Sequence, residues 1–465
     1  MILQFFSNTG TVSGSMIQLD FEGFAVLVEC GLHSGAAAEC DRRDRVLPFE
    51  PVSIHSVVIS RACPACCGSI PSLVKRGFNG TVFTTQASRD LCSAVLRGTA
   101  LNLEEEAAGL NAAAKGGAQP AEPLYTTDDA EFSLYSFNGL NYHRTFHILR
   151  DLRCTFLDAG NLLGSAIVVL DAKTDEGRKR IVYTGELGRA GHPVLRPPEV
   201  PNQVNTLILK AGFGHKTHEA KDLAEKRLLG LVRRTIQKGG RIIAPGPSVG
   251  SALLVVNALH RLWAEKMVAP FPLYADSPLA IHASEGLRHH AECFPAEVRA
   301  RFLTEEDPFG FGRLQYARSA ERSEQLAASP EPCMIIAPAE DCNSGPAQRH
   351  LRTALGDPRN LILFTNEMPK GTLAQRLQAG EKTVRILGEE VKVAAEVARI
   401  DAFNGIADRE ELLNFVNLVH DSSPDLSEVY VLPEGLDPER SFVKALEKEI
   451  RIPVKVPSYG ESFGV

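Results

Sequence analysis

Three cysteines within five residues form the segment of this sequence with the most potential ligand or nucleophile atoms. Cys63, Cys66 and Cys67 lie in Ser60–Gly68, and the spacing of Cys63 and Cys66 is compatible with two thiolate ligands of one zinc ion. A reactive or disulfide-forming pair is the other reactive interpretation. Against a metal site, the sequence has no second pair at comparable spacing, Arg61 carries a permanent charge in the same segment, and cysteine is a common small buried residue.

Short apolar runs surround the cysteine segment and predict that the first part of the chain is rich in strands. The candidate strands are Met1–Phe6, Met16–Asp20, Ala25–Glu29, Ser53–Ser60, Phe146–Asp158, Ala166–Asp171 and Arg180–Thr184. The polar stretch Ala107–Glu122 is rich in alanine and glycine, and this composition predicts a mobile surface loop.

From about residue 205 the sequence alternates between strand and helix patterns. Strand candidates such as Thr206–Lys210 and Arg241–Ala244 alternate with helix candidates at Glu219–Gln237, Gly250–Met267 and Ile281–Cys293. This rhythm predicts a parallel sheet with flanking helices. Strand-like runs return after about residue 380, so we interpret the alternating region as a Rossmann-like insert between two parts of one α/β sandwich.

The composition indicates a globular, water-soluble protein with two or more domains. The chain has 465 residues, of which 44% are hydrophobic and 23% charged, with a net charge of −7. The negative balance argues against a dedicated nucleic-acid binder. No basic leader and no apolar run of about 18 residues is present, so neither a signal peptide nor a membrane span is expected. Ten cysteines without framework spacing then favour a reducing cytoplasm.

A series of short motifs extends from the first residue to about residue 440. They are Gly10–Ser15, Glu29–Leu32, Asp158–Ala166, Tyr274–Ala280, Asp307–Phe309, Arg318–Ser319, Asp357–Asn360, Gly371–Leu373 and Gly388–Val391. In kind and order they resemble the motifs of the β-CASP family of metallo-β-lactamase-type nucleases, the RNA-cleaving branch that includes the polyadenylation-factor endonuclease. The resemblance implies an α/β fold, a metallo-β-lactamase αββα sandwich with an inserted Rossmann-like β-CASP domain. We expect the sandwich at residues 1–204 and 381–465 and the β-CASP domain at 205–380.

The positions that hold two zinc ions in the family carry other residues here. The His-x-His-x-Asp-His loop corresponds to Arg61, Cys63, Ala65 and Cys66. Elsewhere the family's ligands and proton donors correspond to Asn161, Glu186, Lys210, Ile406 and Pro433, of which Glu186 is the only carboxylate retained. A di-metal hydrolase needs imidazoles and carboxylates to hold its ions and to generate hydroxide. The comparison with the family therefore predicts no intact catalytic residue and no cofactor. If one zinc ion is bound, its expected ligands are Cys63, Cys66 and Glu186, in a structural role.

Two alternatives concern the charges left at these positions. Lys210 and Arg61 can pair with Glu186 or Glu29, or they can hold a phosphate. An ion pair that fills the former metal cavity is favoured, because a buried carboxylate without a partner is costly. Weaker candidates for phosphate or RNA contacts, near positions that resemble the family's nucleic-acid cleft, are Ser251, Ser344, Arg349 and His350.

The sequence thus predicts a catalytically inactive β-CASP homologue that serves as a binding or scaffold subunit in RNA processing. Its expected partner is an active β-CASP paralogue or a second copy of the chain, with weak RNA binding and no membrane contact. One alternative is a hydrolase of RNA phosphodiesters with a rebuilt cysteine-containing metal site, and the other is a stand-alone RNA-binding module. The lost general acid and base argue against the first alternative, and the negative net charge argues against the second.

Overall fold

The computed structural model describes residues 1–6, 12–35, 37–113, 120–245, 249–276, 289–304, 311–337, 342, 345–368, 371–433 and 439–465. The chain separates into two compact units. Met1–Thr217 and Ile406–Val465 form the first unit, and His218–Gly405 form the second. Within the described ranges, no helix has the length and apolar character that a membrane crossing requires.

The first unit is organised around strands, and in the second unit strands alternate with helices. The strands are β1 (Ile2–Phe5), β2 (Val12–Ser13), β3 (Ile17–Phe21), β4 (Phe24–Val28), β5 (Ser34–Gly35), β6 (Ile54–Val58), β7 (Thr81–Thr85), β8 (Phe137–Leu140), β9 (Phe146–Leu149), β10 (Leu152–Asp158), β11 (Ala166–Thr174), β12 (Gly177–Tyr183), β13 (Thr206–Ala211), β14 (Ile242–Pro245), β15 (Leu273–Ala275), β16 (Leu314–Tyr316), β17 (Met334–Ala337), β18 (Leu361–Phe364), β19 (Thr383–Ile386), β20 (Glu389–Lys392), β21 (Glu396–Arg399), β22 (Glu428–Pro433), β23 (Val454–Lys455) and β24 (Ser462–Gly464). The helices are α1 (Ala37–Asp44), α2 (Pro64–Cys67), α3 (Ile70–Lys75), α4 (Gln86–Ala113), α5 (Thr127–Ser133), α6 (Lys221–Gln237), α7 (Val249–Ala264), α8 (Ala296–Thr304), α9 (Ala320–Ala328), α10 (Gly345–Ala354), α11 (Leu373–Gln378), α12 (Arg409–Asp421) and α13 (Glu439–Ile450). Short 3-10 turns lie at Pro51–Ser53, Leu134–Ser136, Ala291–Cys293, Phe311–Arg313 and Asp401–Phe403.

Two mixed seven-stranded sheets pack face to face in the first unit. Their strand orders are β24-β1-β3-β4-β6-β7-β8 and β23-β22-β13-β12-β11-β10-β9. Alternating apolar side chains, such as Phe5 and Val58 from one sheet and Phe156 and Tyr183 from the other, fill the layer between them. Helix α4 packs on β7 and β8, and Phe415 of α12 packs against the outer face of the second sheet. This arrangement is the predicted αββα sandwich.

The second unit is built on a six-stranded sheet of order β16-β15-β17-β14-β18-β21. All of its strand pairs are parallel. Both faces are covered, because one apolar cluster joins the sheet to α6 and α7 and another joins it to α10 and α11. The second unit therefore has the parallel, doubly covered sheet that the alternation of strands and helices predicts.

The limits of the two units differ from the predicted domain limits. Strand β13 lies between β12 and β22 in the second sheet of the sandwich, so the first unit continues beyond residue 204. Strand β21 pairs with β18, so the second unit extends beyond residue 380 to Gly405. Apolar patterns predict that a strand exists, but they do not determine which sheet it joins.

The structure also corrects the loop predicted at Ala107–Glu122. Helix α4 continues to Ala113, and both Ala100 and Ala107 are buried against the rest of the unit. A mobile loop would not bury this helical face. Residues 114–119 lie outside the described residues, as do residues 281–288, which hold most of the helix predicted at Ile281–Cys293.

Candidate functional site

The cysteine segment follows β6 and is fixed by backbone hydrogen bonds to the chain just after β4. The amide of Cys30 donates to the carbonyl of Cys66 at 2.7 Å, and the amide of Leu32 donates to the carbonyl of Pro64 at 2.9 Å. A Cβ atom at Gly31 would lie 1.8 Å from the carbonyl oxygen of Ala65, so only glycine fits this contact. The segment is therefore held rigidly against the sandwich.

The thiols in this segment point toward one another. The Sγ atom of Cys63 lies 2.8 Å from that of Cys66, and Cys67 donates to the carbonyl of Cys63 at 3.2 Å. Cys92, from α4, contacts the Sγ of Cys67 at 3.7 Å. All four cysteines are free thiols. Their spacing along the chain predicts the contact of Cys63 with Cys66, but no sequence signal connects Cys92 to the cluster.

Burial keeps the inner thiols protonated. It raises the pKa of Cys66 well above its usual value, although the nearby cations of Arg61 and Lys210 act in the opposite direction. The pKa of Cys67 is raised as well, first by its hydrogen bond with Cys92 and then by burial. Metal ions bind thiolates rather than thiols, so this environment disfavours metal binding.

Arg61 is directed at Asn161, another position at which the family resemblance implies a ligand. Its Nη1 atom donates to Oδ1 of Asn161 at 2.7 Å. Asn161 is buried in the turn between β10 and β11, where its amide donates to Oγ of Ser165 at 3.0 Å. Two positions at which the family resemblance implies histidines thus hold Arg61, a charged donor, and Asn161, whose side-chain oxygen accepts from it.

Lys210 and Glu186 form an ion pair inside the first unit. The Nζ atom of Lys210 lies 3.4 Å from Oε1 of Glu186, and the side chains are only 4% and 1% exposed. Lys210 also donates to Oγ of Ser15 at 2.9 Å. Of the alternatives for Lys210, the structure therefore places it with Glu186. Ser15 was not among the predicted site residues, because a serine beside a glycine turn carries no distinctive signal.

Glu29 is buried beside this ion pair without a cation of its own among the described residues. Its Oε1 accepts from the amide of Ser60 at 2.8 Å. Burial first, and then the neighbouring Cys66, raise the pKa of Glu29 well above its ordinary value, and the hydrogen bonds from Ser60 lower it. A protonated Glu29 avoids the cost of a second buried negative charge.

The other positions at which the family resemblance implies ligands or a proton donor lie at the ends of neighbouring strands. The turn that carries Glu186 follows β12, and its Gly188 forms an antiparallel bridge with Ile406. In the second sheet, Lys210 of β13 pairs with Leu432, which places Pro433 one residue further at the end of β22. Side chains of isoleucine and proline offer no ligand atom or transferable proton at these ends.

These residues do not fit the two-zinc centre that the family resemblance implies. The pocket contains two basic side chains, Arg61 and Lys210, and burial keeps its inner thiols protonated. The three alternative ligands, Cys63, Cys66 and Glu186, are all described. The Sγ atoms of Cys63 and Cys66 lie 2.8 Å apart, but the three ligand atoms do not all lie within 4.8 Å of one another. Instead, Lys210 forms an ion pair with Glu186, and Arg61 donates a hydrogen bond to Asn161.

The predicted RNA-contact residues belong to the second unit, where two of them are buried. Ser251 is 3% exposed and His350 is fully buried. Nε2 of His350 lies 2.6 Å from Oδ2 of Asp276, which also accepts from Ser323, and Arg349 donates to Ser323. This network gives His350 and Arg349 an internal structural role, and burial argues against phosphate contact at Ser251 and His350. Ser344 lies outside the described residues.

Asp158, which precedes the turn that contains Asn161, is expected to make the free energy of unfolding depend on pH. Burial raises the pKa of Asp158 from 3.8 to about 7, and its Oδ1 accepts from the amide of Gly160. Between these pKa values the native state binds more protons than the unfolded state, so stability falls as pH rises from about 4 to about 7. We expect Asp158→Asn to remove up to about 4 kcal/mol of that decline. Urea denaturation of both proteins across this range checks it, and parallel pH profiles would contradict it.

Comparisons with known proteins agree with this fold. Residues 252–377 match the family model of the Beta-Casp domain. The chain is 30% identical over 409 residues to Ribonuclease TTHA0252 of Thermus thermophilus, covering 87% of this chain and 88% of the ribonuclease. It is 23% identical over 463 residues to the RNase J-like protein of Methanocaldococcus jannaschii, covering 99% of each.

Two further matches are more limited in what they show. Transcription termination factor FttA of Pyrococcus horikoshii is 28% identical over 377 residues, which are 78% of this chain but 55% of the factor, so the chain spans about half of its length. A solved protein of unknown function from Enterococcus faecalis V583 matches 99% of both chains with a TM-score of 0.50 and 13% identity. The latter similarity concerns the fold alone.

Proposed function

The chain belongs to the β-CASP family of metallo-β-lactamase-fold proteins, and we propose that it is a member that does not cleave RNA. In this proposal it serves as a binding or scaffold subunit in RNA processing in the cytoplasm. Its partner is an active β-CASP relative or a second copy of the chain. The fold supplies a rigid surface, and the active partner supplies the metal ions.

One observation carries the proposal, namely the buried ion pair of Lys210 with Glu186. An ammonium group at this position neutralises the single carboxylate retained from the family's ligand set. A metal cation close to Lys210 would be repelled in a site of low dielectric constant. Without a bound metal, the site has no group that lowers the pKa of water enough to make hydroxide near neutral pH.

The relation to RNA rests on the relatives. Proteins named as a ribonuclease, an RNase J-like protein and a transcription termination factor align with most of this chain. These names support a role connected with RNA, and the altered pocket supports a role other than hydrolysis. A subunit that pairs with an active relative satisfies both conditions.

We expect the protein, purified without chelator, to contain no stoichiometric zinc and to show no RNA cleavage that EDTA abolishes. Elemental analysis by mass spectrometry measures the first property, and an assay with end-labelled single-stranded RNA measures the second. Ribonuclease TTHA0252 is the positive control for the assay conditions. One or two zinc ions per chain together with EDTA-sensitive turnover would overturn the proposal and favour a rebuilt metal site.

The scaffold role has a separate test. The chain is co-expressed with a β-CASP paralogue from the same genome that retains the His-x-His-x-Asp-His loop, and the two are purified through a tag on one of them. Light scattering of the isolated chain shows whether it associates with itself. Copurification at a fixed ratio, or a stable dimer, is expected. A monomer that captures no paralogue would contradict the scaffold role.

A further inference from the structure

A group of basic side chains lies at one end of the antiparallel strands β9 to β12 in the first unit. The register places His147 opposite Arg153, and Arg153 opposite Asp171. In the next hairpin Lys173 lies opposite Arg178. Residues that are opposite each other, or two positions apart on one strand, share a face of the sheet. These charges therefore converge from two neighbouring hairpins, β9–β10 and β11–β12, onto one surface.

The surface is concave. A cavity of about 170 Å³ is lined by His147, Arg150, Asp151, Arg153, Asp171, Ala172, Lys173 and Arg178. We call these residues the basic cleft. Arg150, Lys173 and Arg178 are exposed and Arg153 is half-buried, so their charged groups are accessible from solvent.

The acidic residues of the basic cleft are already engaged. Asp171 accepts two hydrogen bonds from Arg180, at 2.8 and 3.2 Å. Asp151 lies 4.0 Å from Lys173. In contrast, the side chains of three arginines have no hydrogen bond or ion pair with any residue that the structure describes, namely Arg150, Arg153 and Arg178. The cleft thus holds a local excess of positive charge in a protein whose net charge is −7.

Guanidinium groups match the geometry of phosphate oxygens, because each offers parallel N–H donors in a planar fork. Three unengaged guanidinium groups around one concavity can bind successive phosphates of a flexible strand better than a single isolated anion. The lining has no phenylalanine, tyrosine or tryptophan, and its one ring is that of His147, so phosphate contacts rather than extended base stacking are its expected chemistry. Recognition of this kind depends on the backbone and is independent of sequence.

We propose that the basic cleft binds the phosphate backbone of single-stranded RNA. This inference deepens the proposed function, and its choice of RNA over another polyanion rests on that function. Through this cleft, a chain that binds no catalytic metal would still bind the RNA that its partner processes. Arg150, Arg153 and Arg178 are the phosphate-binding residues.

The test is fluorescence anisotropy with a short labelled single-stranded RNA, in EDTA so that cleavage cannot intervene. Three phosphate contacts predict that affinity falls about 20-fold between about 50 and 200 mM salt. The triple variant R150A/R153A/R178A is expected to bind at least about 10-fold more weakly and to lower the salt slope by about 2. Unlabelled ATP and inorganic phosphate serve as competitors that separate a strand site from a site for a small anion.

The matched control is R42A/R76A/R89A, which removes three exposed arginines from other parts of the same unit. It changes net charge by the same amount and is expected to retain binding and salt slope. Equal losses in both variants, or RNA binding that does not depend on salt, would overturn the proposal. Complete competition by free phosphate would also overturn it in favour of a small-anion site.

A second, more conservative variant distinguishes a loss of RNA binding from a loss of folding. R150K/R153K/R178K keeps the charges and removes the forked donors, so it is expected to bind RNA with intermediate affinity; wild-type or absent binding contradicts the role of the guanidinium groups. The outcome is independent of the metal analysis. EDTA-sensitive cleavage with cleft-dependent binding would refute only the proposed inactivity, and a metal-free protein with no cleft-dependent binding would refute only this inference.

Discussion

Replacing Lys210 with methionine is expected to lower the free energy of unfolding by about 3–5 kcal/mol. Methionine keeps much of the length of lysine but removes the ammonium group that lies 3.4 Å from Oε1 of Glu186. The carboxylate then remains in a buried site without its cation, and it must either bear the desolvation cost or take up a proton. Urea denaturation monitored by circular dichroism measures the change.

Two comparison variants make this result specific. Lys75 forms an ion pair of similar type with Asp129 at 2.8 Å, but the side chains are 46% and 25% exposed. Lys75→Met should therefore cost less than about 1 kcal/mol. The double variant K210M/E186Q removes both buried charges and is expected to recover most of the loss. A K210M protein as stable as the original, or a double variant no better than K210M, would show that the ion pair does not hold the pocket together.

Much of the architecture could be predicted, because many short sequence patterns each indicate a local element of the fold. The apolar alternation around Ala25–Glu29 and Phe146–Asp158 specifies strands buried on one or both faces. The alternation of strands and helices after residue 205 specifies a parallel sheet. The motif Asp158–Ala166 places a buried aspartate, a turn and Asn161 in the order in which the structure has them.

The contacts within the pocket were only partly predictable. Opposite charges at Lys210 and Glu186 made an ion pair one of several possibilities, and the alternative pairing with Glu29 used the same residue types. The sequence predicts that Lys210 ends a strand, but only the sheet order shows that this strand, β13, lies between β12 and β22. Strand β12 leads to the turn that carries Glu186. The participation of Ser15 and Cys92 depends on tertiary packing, for which single residues carry no periodic signal.

The basic cleft and the limits of the two units could not be predicted from the sequence, because both depend on which strands pair. Its arginines are separated by short apolar stretches, and each one alone has the pattern of a solvated strand end. Their convergence follows from the pairing of β9, β10, β11 and β12, which is a long-range property. In the same way, the assignment of Glu396–Arg399 to the second unit depends on its partner, Leu361–Phe364.

Replacing Gly31 with alanine is expected to destabilise the protein by about 3 kcal/mol or more, because overpacking against a fixed backbone atom cannot be relieved by a side-chain rotation. The added Cβ would lie 1.8 Å from the carbonyl oxygen of Ala65 and 2.9 Å from the amide nitrogen of Cys66. The whole Ser60–Gly68 segment must shift to make room. Thermal and urea denaturation report the loss, and the reaction rate of the thiols with a chromogenic disulfide reports the displaced segment, since Cys66 becomes more accessible.

The same substitution at Gly98 is the control, because a Cβ atom there meets no atom within 4 Å. Gly98 lies inside α4, where alanine stabilises a helix by about 0.5–1 kcal/mol relative to glycine. The two variants should therefore change stability in opposite directions, and only Gly31→Ala should accelerate the thiol reaction. If Gly31→Ala is tolerated with unchanged thiol reactivity, the cysteine segment does not pack against Glu29–Leu32.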